Sequence, residues 1–77
     1  MPDGIDYVSA ARFCNAHGAH ATAIDACRIG LSLDPGNAML HVYRACAYDE
    51  FGRSADAVAD CEAARRLAPD GPAAVLA

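Results

Sequence analysis

The chain has 77 residues, a net charge of −4 and no lysine, and its composition is 55% hydrophobic but only 6% aromatic. A chain of this length buries only about 60% of the surface that it exposes when unfolded, which indicates one small domain of marginal stability. Alanine supplies much of the hydrophobic fraction, and this favours closely packed helices over a thick sheet core. The acidic balance and six scattered arginines argue against a nucleic-acid module, which normally carries a basic stripe.

No segment of the sequence indicates export or membrane insertion. The N-terminus lacks a basic region followed by an apolar core, and no stretch approaches the roughly 20 apolar residues of a membrane span. We therefore expect a cytoplasmic protein without a membrane partner. In a reducing compartment, we expect the four cysteines to be free thiols that pack as small hydrophobes. The start at Met1, without a tag, favours a natural N-terminus.

The sequence repeats itself with a period of 34 residues. In this register the two copies share a glycine, a cysteine, a leucine and a proline, namely Gly18 and Gly52, Cys27 and Cys61, Leu33 and Leu67, and Pro35 and Pro69. The first repeat covers residues 4–37 and the second covers residues 38–71. Both repeats belong to a single domain, 1–77.

The first repeat is predicted to form two helices. Asp3 is a suitable N-cap for a helix that runs to about His17, and Gly18 supplies the left-handed residue that commonly ends a helix. A second helix is then predicted at about Ala21–Leu33, because it must end before Pro35.

The second repeat follows the same plan. Asn37 is the predicted N-cap of a helix over Ala38–Phe51, and Gly52 ends it. Ser54 is the predicted cap of a helix that extends to about Leu67. Residues 72–77 are then predicted to begin the first helix of a third repeat. Such an array is either part of a longer protein or covers its last apolar face by self-association.

Small residues recur where the two helices of each repeat should approach most closely. These positions are Ala11 and Ala23 in the first repeat, and Ala45 and Ala57 in the second. Only small side chains permit a short distance between packed helices. The sequence therefore predicts an all-α fold made of two helical hairpins.

These features resemble the tetratricopeptide repeat (TPR), whose signature combines large residues, small residues at the crossing and a final proline. The first repeat fills the signature slots with Tyr7, Ala10, Ala11, Cys14, Ala23, Cys27 and Pro35, and the second fills them with His41, Arg44, Ala45, Tyr48, Ala57, Cys61 and Pro69. His41 departs from the pattern, because it replaces a tryptophan, and Cys14, Cys27 and Cys61 stand where larger rings are common. The resemblance implies a short right-handed solenoid segment.

The resemblance also implies a function, because similar proteins bind extended peptides or partner helices in a concave groove lined by the first helix of each repeat. By this correspondence the groove residues are Ile5, Val8, Ser9, Arg12, Asn15, Met39, Val42, Tyr43, Cys46, Asp49 and Glu50. The most interesting patch is Val42 and Tyr43 with Met39 one turn earlier, because aromatic and methionine contacts are typical of recognition surfaces. Relatives that capture chaperone tails use basic residues in this groove, and here Arg12 is the only cation, so a mixed peptide or a helix is the expected partner.

Two further hypotheses follow from the sequence. In the first, the chain is a structural module, a homodimer that assembles through its exposed C-terminal end around Leu67 and residues 72–76. Cys14, His17 and His20 are spaced at intervals of three and form a weaker candidate zinc site that lacks a fourth ligand. No nucleophile motif or phosphate-binding loop occurs, so we expect neither an enzyme nor a cofactor.

Overall fold

A computed structural model of the chain describes residues 6–69, and this part contains four α-helices and no strand. The predicted all-α class is confirmed. The helices are α1 (Tyr7–Ala16), α2 (His20–Leu33), α3 (Ala38–Glu50) and α4 (Ser54–Leu67). The predicted third helix at residues 72–77 lies outside the described residues.

The helix boundaries follow the period of the sequence. α2 begins at His20 and α4 at Ser54, and they end at Leu33 and Leu67, so both boundaries recur after 34 residues. We call α1 with α2 the first hairpin and α3 with α4 the second hairpin.

Both hairpins turn at a glycine in the left-handed region, as the sequence predicts. The φ angle is 77° at Gly18 and 72° at Gly52. A side chain would be strained in this conformation, because Cβ would approach the backbone too closely. A Cβ at either glycine would meet no atom within 4 Å, so the requirement for glycine is conformational.

α1 begins one turn later than the sequence prediction placed it. Asp6 is the N-cap, because its carboxylate accepts hydrogen bonds from the Ser9 backbone N–H at 3.2 Å and from Ser9 Oγ at 2.8 Å. These bonds stabilise the ionised form and lower the pKa of the Asp6 carboxyl from its usual 3.8. Asp3, the predicted cap, lies outside the described residues, and the helix that it was to cap starts at Tyr7.

The caps of the second hairpin match the prediction at one helix and not at the other. Asn37 caps α3, because its side-chain oxygen accepts from the backbone N–H groups of Met39 and Leu40. Ser54, the predicted cap of α4, is instead the first residue of that helix, and Arg53 occupies the cap position without a side-chain hydrogen bond.

The four small residues that the sequence predicts at the helix crossings are buried. Ala11 and Ala23 are 0% exposed, Ala45 is 3% exposed and Ala57 is 9% exposed. Within the described residues, α1 packs against α2, α4 packs against α3, and α3 also packs against both helices of the first hairpin. The four alanines are thus buried, as predicted from their spacing. The right-handed solenoid remains a prediction.

Leu40 joins the two hairpins. It is 1% exposed and packs in one core cluster with Ala11, Ala26 and Cys27. It also lies directly against α2 at Gly30, where an added Cβ would be only 2.8 Å from Cδ1 of Leu40. The absence of a side chain at Gly30 therefore allows α3 to pack closely against the first hairpin.

Candidate partner-binding surface

α3 occupies a cleft between the helices of the first hairpin. Its contacts there include polar ones: the Asn15 side-chain amide donates to the backbone carbonyl of Tyr43 at 3.0 Å. His20 lies beside the end of α3, with Nε2 at 3.9 Å from a carboxylate oxygen of Glu50. The His20 ring also meets the Phe51 ring edge-on, with centroids 6.3 Å apart. The first hairpin therefore holds a helix in its cleft.

The second hairpin has the equivalent cleft, and no described helix occupies it. This α3–α4 cleft has a volume of about 530 Å³ and is lined by Ala45, Cys46, Asp49, Ser54, Ala57, Val58, Cys61 and Arg65. One period earlier, four of these positions are Ala11, Asn15, His20 and Cys27, which pack against or bond to α3. The two clefts are thus built from corresponding positions.

The occupied and open clefts differ in exposure. Cys27 is 0% exposed beneath α3, whereas its counterpart Cys61 is half-buried. Ile24 is half-buried, whereas its counterpart Val58 is 54% exposed. This difference is expected, because α3 covers the first cleft and no described helix covers the second. Apolar surface of the second cleft is therefore exposed.

The open cleft combines an apolar floor with charges at its rim. Ala45 and Ala57 form the buried floor, and Asp49 and Arg65 are exposed. Neither charged residue takes part in an ion pair among residues 6–69. Burial raises the pKa of the Cys46 thiol, so this residue is protonated at neutral pH and offers an apolar contact. Such a surface suits an amphipathic helix that carries charge of both signs.

The structure distributes the predicted groove residues over three environments. Exposed residues are Ser9, Arg12, Cys46, Asp49 and Glu50, and half-buried ones are Val8, Asn15, Met39 and Tyr43. Val42 is buried, and Ile5 lies outside the described residues. Only Cys46 and Asp49 belong to the α3–α4 cleft.

The predicted patch of Val42 and Tyr43 is not an open surface. Val42 is 6% exposed and packs with Ala38 and Ala64, so its predicted place in the groove lining is wrong. Tyr43 packs against the core cluster around Leu40, where α3 meets the first hairpin. A helix buries the side chains that face its neighbours. Val42 faces α4 and Tyr43 faces the first hairpin, whereas the sequence prediction placed both residues in an open groove.

Five of the eight cleft residues come from α4, which the sequence prediction of the groove left out. Ser54, Val58, Cys61 and Arg65 were missed because the resemblance assigns binding to the first helix of each repeat. The period itself contains the missing signal. Cys27 and Ile24 of α2 have the counterparts Cys61 and Val58 on α4 one period later, and these two counterparts are more exposed.

The chain matches no known family model, no curated protein and no solved structure. The tetratricopeptide resemblance thus rests on the 34-residue period and the motif residues alone. It remains a prediction.

A buried ion cluster lies between α3 and α4. Asp60 is 3% exposed, and its carboxylate accepts two hydrogen bonds from Arg44, from Nε at 2.8 Å and from Nη2 at 2.7 Å. His41 Nδ1 lies 2.9 Å from the same carboxylate. Because a carboxylate only accepts, the proton of His41 resides on Nδ1. The hydrogen bond to Asp60 raises the pKa of Arg44 above its usual value.

The ion cluster holds two helices together. One period earlier its three positions are Tyr7, Ala10 and Ala26, so charge replaces the hydrophobic contact of the first hairpin. Within residues 6–69, no serine or cysteine hydrogen-bonds to His41, and a histidine–aspartate pair needs such a nucleophile to activate. We interpret the cluster as structural.

The candidate zinc residues do not converge. The His17 ring stacks on Phe13, with centroids 4.1 Å apart, while His20 Nδ1 lies 3.0 Å from the side-chain oxygen of Asn15. The described part of the chain contains no group of three or more histidine, cysteine or acidic side chains that could hold a metal ion. It also contains no helix long and apolar enough to cross a membrane.

Proposed function

We propose that the chain is a non-enzymatic interaction module that binds one helix of a partner protein in the α3–α4 cleft. The observation that carries this proposal is the occupied cleft of the first hairpin, which holds α3 in the corresponding place. The proposal requires no cofactor, nucleic acid or membrane.

A helix fits the open cleft better than an extended peptide. The floor of the cleft is formed by Ala45 and Ala57, whose counterparts Ala11 and Ala23 lie in the hairpin that already accepts α3. Small floor residues allow a helix to approach closely. An extended peptide that binds by strand addition would need an exposed strand edge, and the described residues contain no strand.

The rim charges specify the chemistry of the partner helix. In the first hairpin, Asn15 donates to the carbonyl of Tyr43, but its counterpart Asp49 can only accept. The partner helix should therefore present a basic residue to Asp49 and an acidic residue to Arg65. This pair of charges gives the interaction its orientation more than its affinity.

Selection from a displayed library of helical peptides tests the proposal. We expect selected peptides to be amphipathic helices that bind the wild-type chain and lose at least about tenfold in affinity, or about 1.4 kcal/mol, with Val58→Arg. Val58 is 54% exposed, so this change should not unfold the protein.

The matched control is Ile29→Arg on α2. Ile29 is also apolar and 42% exposed, but it does not line the cleft. The control should bind the selected peptides as the wild type does. Peptides that bind equally well to the Val58→Arg chain, or that bind as extended strands, would show that the cleft is not the binding surface.

A further inference from the structure

The α3–α4 cleft carries opposite charges at its two ends. Asp49 lies in the last turn of α3 and Ser54 begins α4, so both belong to the end beside the loop that joins the helices. Arg65 lies in the last turn of α4. Ser54 and Arg65 are about three turns apart on this helix, or roughly 16 Å at about 1.5 Å per residue. We call the end with Asp49 the turn end and the end with Arg65 the far end.

Neighbouring side chains do not cancel this separation of charge. Arg53 also lies at the turn end, but its guanidinium is already paired with the Asp56 carboxylate at 2.7 Å. Asp60 is buried between the two helices, and Arg44 neutralises it through two hydrogen bonds. The turn end of the cleft is therefore acidic and the far end is basic.

α3 shows in which direction a helix lies in the corresponding cleft of the first hairpin. Its N-terminal half lies near the C-terminal end of α2, where a Cβ at Gly30 would be 2.8 Å from Cδ1 of Leu40. Its C-terminal end lies near the start of α2, where the His20 ring is 3.9 Å from Glu50 and edge-on to Phe51. α3 therefore runs from the far end of that cleft to its turn end.

We propose that the α3–α4 cleft binds its partner helix in a single direction, that of α3 in the first cleft, and that it selects a helix with an acidic first turn and a basic last turn. The acidic residue pairs with Arg65 and the basic residue pairs with Asp49. This inference rests on the proposed function, because it specifies the partner of the same cleft.

This order of charges also stabilises the partner helix itself. The peptide dipoles of a helix give its N-terminus a partial positive charge and its C-terminus a partial negative charge, so acidic residues stabilise the first turn and basic residues the last. A helix with the opposite order could pair with Arg65 and Asp49 only by lying in the reverse direction. Its own dipole would also disfavour both of its charges.

The same charges select against a helix like α3. α3 has no basic residue in its last turn and ends with Asp49 and Glu50. In the first cleft, Glu50 lies beside His20, which contacts the uncharged Asn15 at 3.0 Å. In the second cleft, Asp49 takes the position of Asn15, so the acidic end of a copied α3 would be repelled.

Two synthetic peptides test the order of charges. Both are amphipathic helices of about 16 residues with the same composition and the same apolar face, held helical by a hydrocarbon staple on the opposite face. The acid-first peptide has glutamate in its first turn and lysine in its last turn, and the base-first peptide has the two exchanged. At low ionic strength, the wild-type chain should bind the acid-first peptide at least about tenfold more tightly, and salt should reduce this ratio. Equal affinities would overturn the inference.

A cleft with exchanged charges is the decisive variant. Asp49→Arg together with Arg65→Asp should invert the preference, so that the base-first peptide binds more tightly. Both residues are exposed and take part in no ion pair among residues 6–69, so the variant should fold, which circular dichroism checks. A folded variant that still prefers the acid-first peptide would contradict the assigned direction.

Arg66→Asp is the matched control for Arg65→Asp. Arg66 is the next residue and is also exposed, but it does not line the cleft. Arg65→Asp alone should reduce the preference for the acid-first peptide, whereas Arg66→Asp should leave most of it. If the two substitutions reduce the preference equally, net charge rather than the cleft determines it, and the inference is wrong.

Photo-crosslinking measures the direction itself. A crosslinker in the first turn of the acid-first peptide should attach to the last turn of α4 around Arg65, and one in its last turn should attach near Ser54. The reverse pattern would overturn the inference.

The outcomes separate this inference from the proposed function. If both peptides bind equally and Val58→Arg weakens both, the cleft binds helices without a fixed direction, and only this inference fails. The same holds if library peptides bind in the cleft without this order of charges. If neither peptide binds and the library gives no peptide whose binding depends on Val58, the proposed function fails as well.

Discussion

Asp60 is the buried charged side chain among residues 6–69, and the second hairpin depends on how it is neutralised. Arg44 and His41 together supply three hydrogen bonds to its carboxylate. A buried ion pair often contributes little compared with a hydrophobic contact, but removing one partner leaves the other charge without compensation. The sequence at these positions therefore tolerates joint changes better than single ones.

Asp60→Ala should lower the free energy of unfolding by about 3–5 kcal/mol, because Arg44 and His41 would lose the carboxylate that they contact. Urea unfolding at neutral pH measures this change. A loss below about 1 kcal/mol would mean that water replaces the carboxylate at no cost.

The first hairpin offers a matched control for this substitution. The triple variant with His41→Tyr, Arg44→Ala and Asp60→Ala places the residues of the first hairpin in the second. It should recover much of the stability that Asp60→Ala loses, since no unpaired charge remains. If the triple variant is no more stable than the single one, the cluster has a packing role that the hydrophobic residues do not reproduce.

The four thiols should differ in reactivity. Burial raises the pKa of Cys27 from 9.0 to about 11, and Cys27 is 0% exposed, whereas Cys46 is exposed. A thiol-reactive dye at mildly alkaline pH should label Cys46, which is exposed although its pKa is also raised, before Cys27, and should label Cys27 only on unfolding. Labelling of Cys27 in the native protein at the rate of Cys46 would contradict this order. The Cys46→Ser variant identifies the fast phase.

Cys27 also gives stability a dependence on alkaline pH. Its pKa in the folded state is higher than the 9.0 of a free thiol, so the unfolded chain loses this proton first. The contribution of Cys27 to stability is therefore complete below pH 9 and decreases as the pH rises towards about 11. Thermal melts across this range should show a smaller decrease for Cys27→Ala than for the wild type.

Single residues show where sequence reasoning succeeded and where it failed. Gly18 and Gly52 were predictable, because a left-handed turn has a strong preference for glycine. The burial of Asp60 was not, since nothing local distinguishes it from an exposed acid. His41 and Arg44 in core positions were the available signal, because polar groups in a core need a partner.

At the scale of elements, the contact of α3 with α2 is limited by space at Gly30. An added Cβ at Gly30 would lie 2.8 Å from Cβ of Tyr7 and 2.8 Å from Cδ1 of Leu40. Leu40 can rotate away from it, but Cβ of Tyr7 is fixed to the backbone of α1. Any side chain at Gly30 therefore has to move a helix.

Gly30→Ala should destabilise the protein by up to about 2 kcal/mol. Overpacking costs about 1–3 kcal/mol, and the better helix propensity of alanine offsets about 1 kcal/mol of it. Gly36→Ala is the control, because an added Cβ there meets no atom within 4 Å and its φ is not positive. It should be neutral or stabilise by up to about 1 kcal/mol. Equal effects in denaturant melts would contradict the close approach at Gly30.

The helices were easier to predict than their first residues. The period and the glycines predicted four helices, and α2 and α4 end where the sequence indicated. The start of α1 was misplaced, because Asp3 and Asp6 are equally good caps in isolation. Tertiary packing selects between such caps, and it is not visible in local sequence.

At the scale of the molecule, the helices are unequally supported. Among the described residues, α3 packs against all three other helices, whereas α4 packs against α3 alone. Helices with few tertiary contacts open more readily than those in the centre of a fold. The open cleft therefore includes the least supported helix.

Hydrogen exchange should reveal this inequality. In the monomer, amides of α4 should exchange faster than those of α2 and α3, because α4 has one neighbour. Filling the cleft with a selected peptide should slow exchange most on the side of α4 that carries Val58 and Cys61. Slowing confined to α1 and α2 would place the binding surface on the first hairpin.

The location of the candidate site was only partly predictable. Cys46 and Asp49 were predicted from the resemblance, which concerns first helices. The α4 residues of the cleft were not predicted, because whether a cleft is covered depends on which helix packs against each hairpin. The buried position of Val42 likewise depends on which neighbours α3 has on each side.

The glycine at position 30 also limits how this protein can lengthen by duplication. A duplication that placed a copy of α3 after α4 would bring the copied Leu40 against Ala64, the counterpart of Gly30. The distance of 2.8 Å between a Cβ at Gly30 and Cδ1 of Leu40 shows that leucine and alanine cannot share this space unless the leucine changes its rotamer. A longer array grown from the second hairpin would need Ala64→Gly, or a smaller residue than leucine in the new helix.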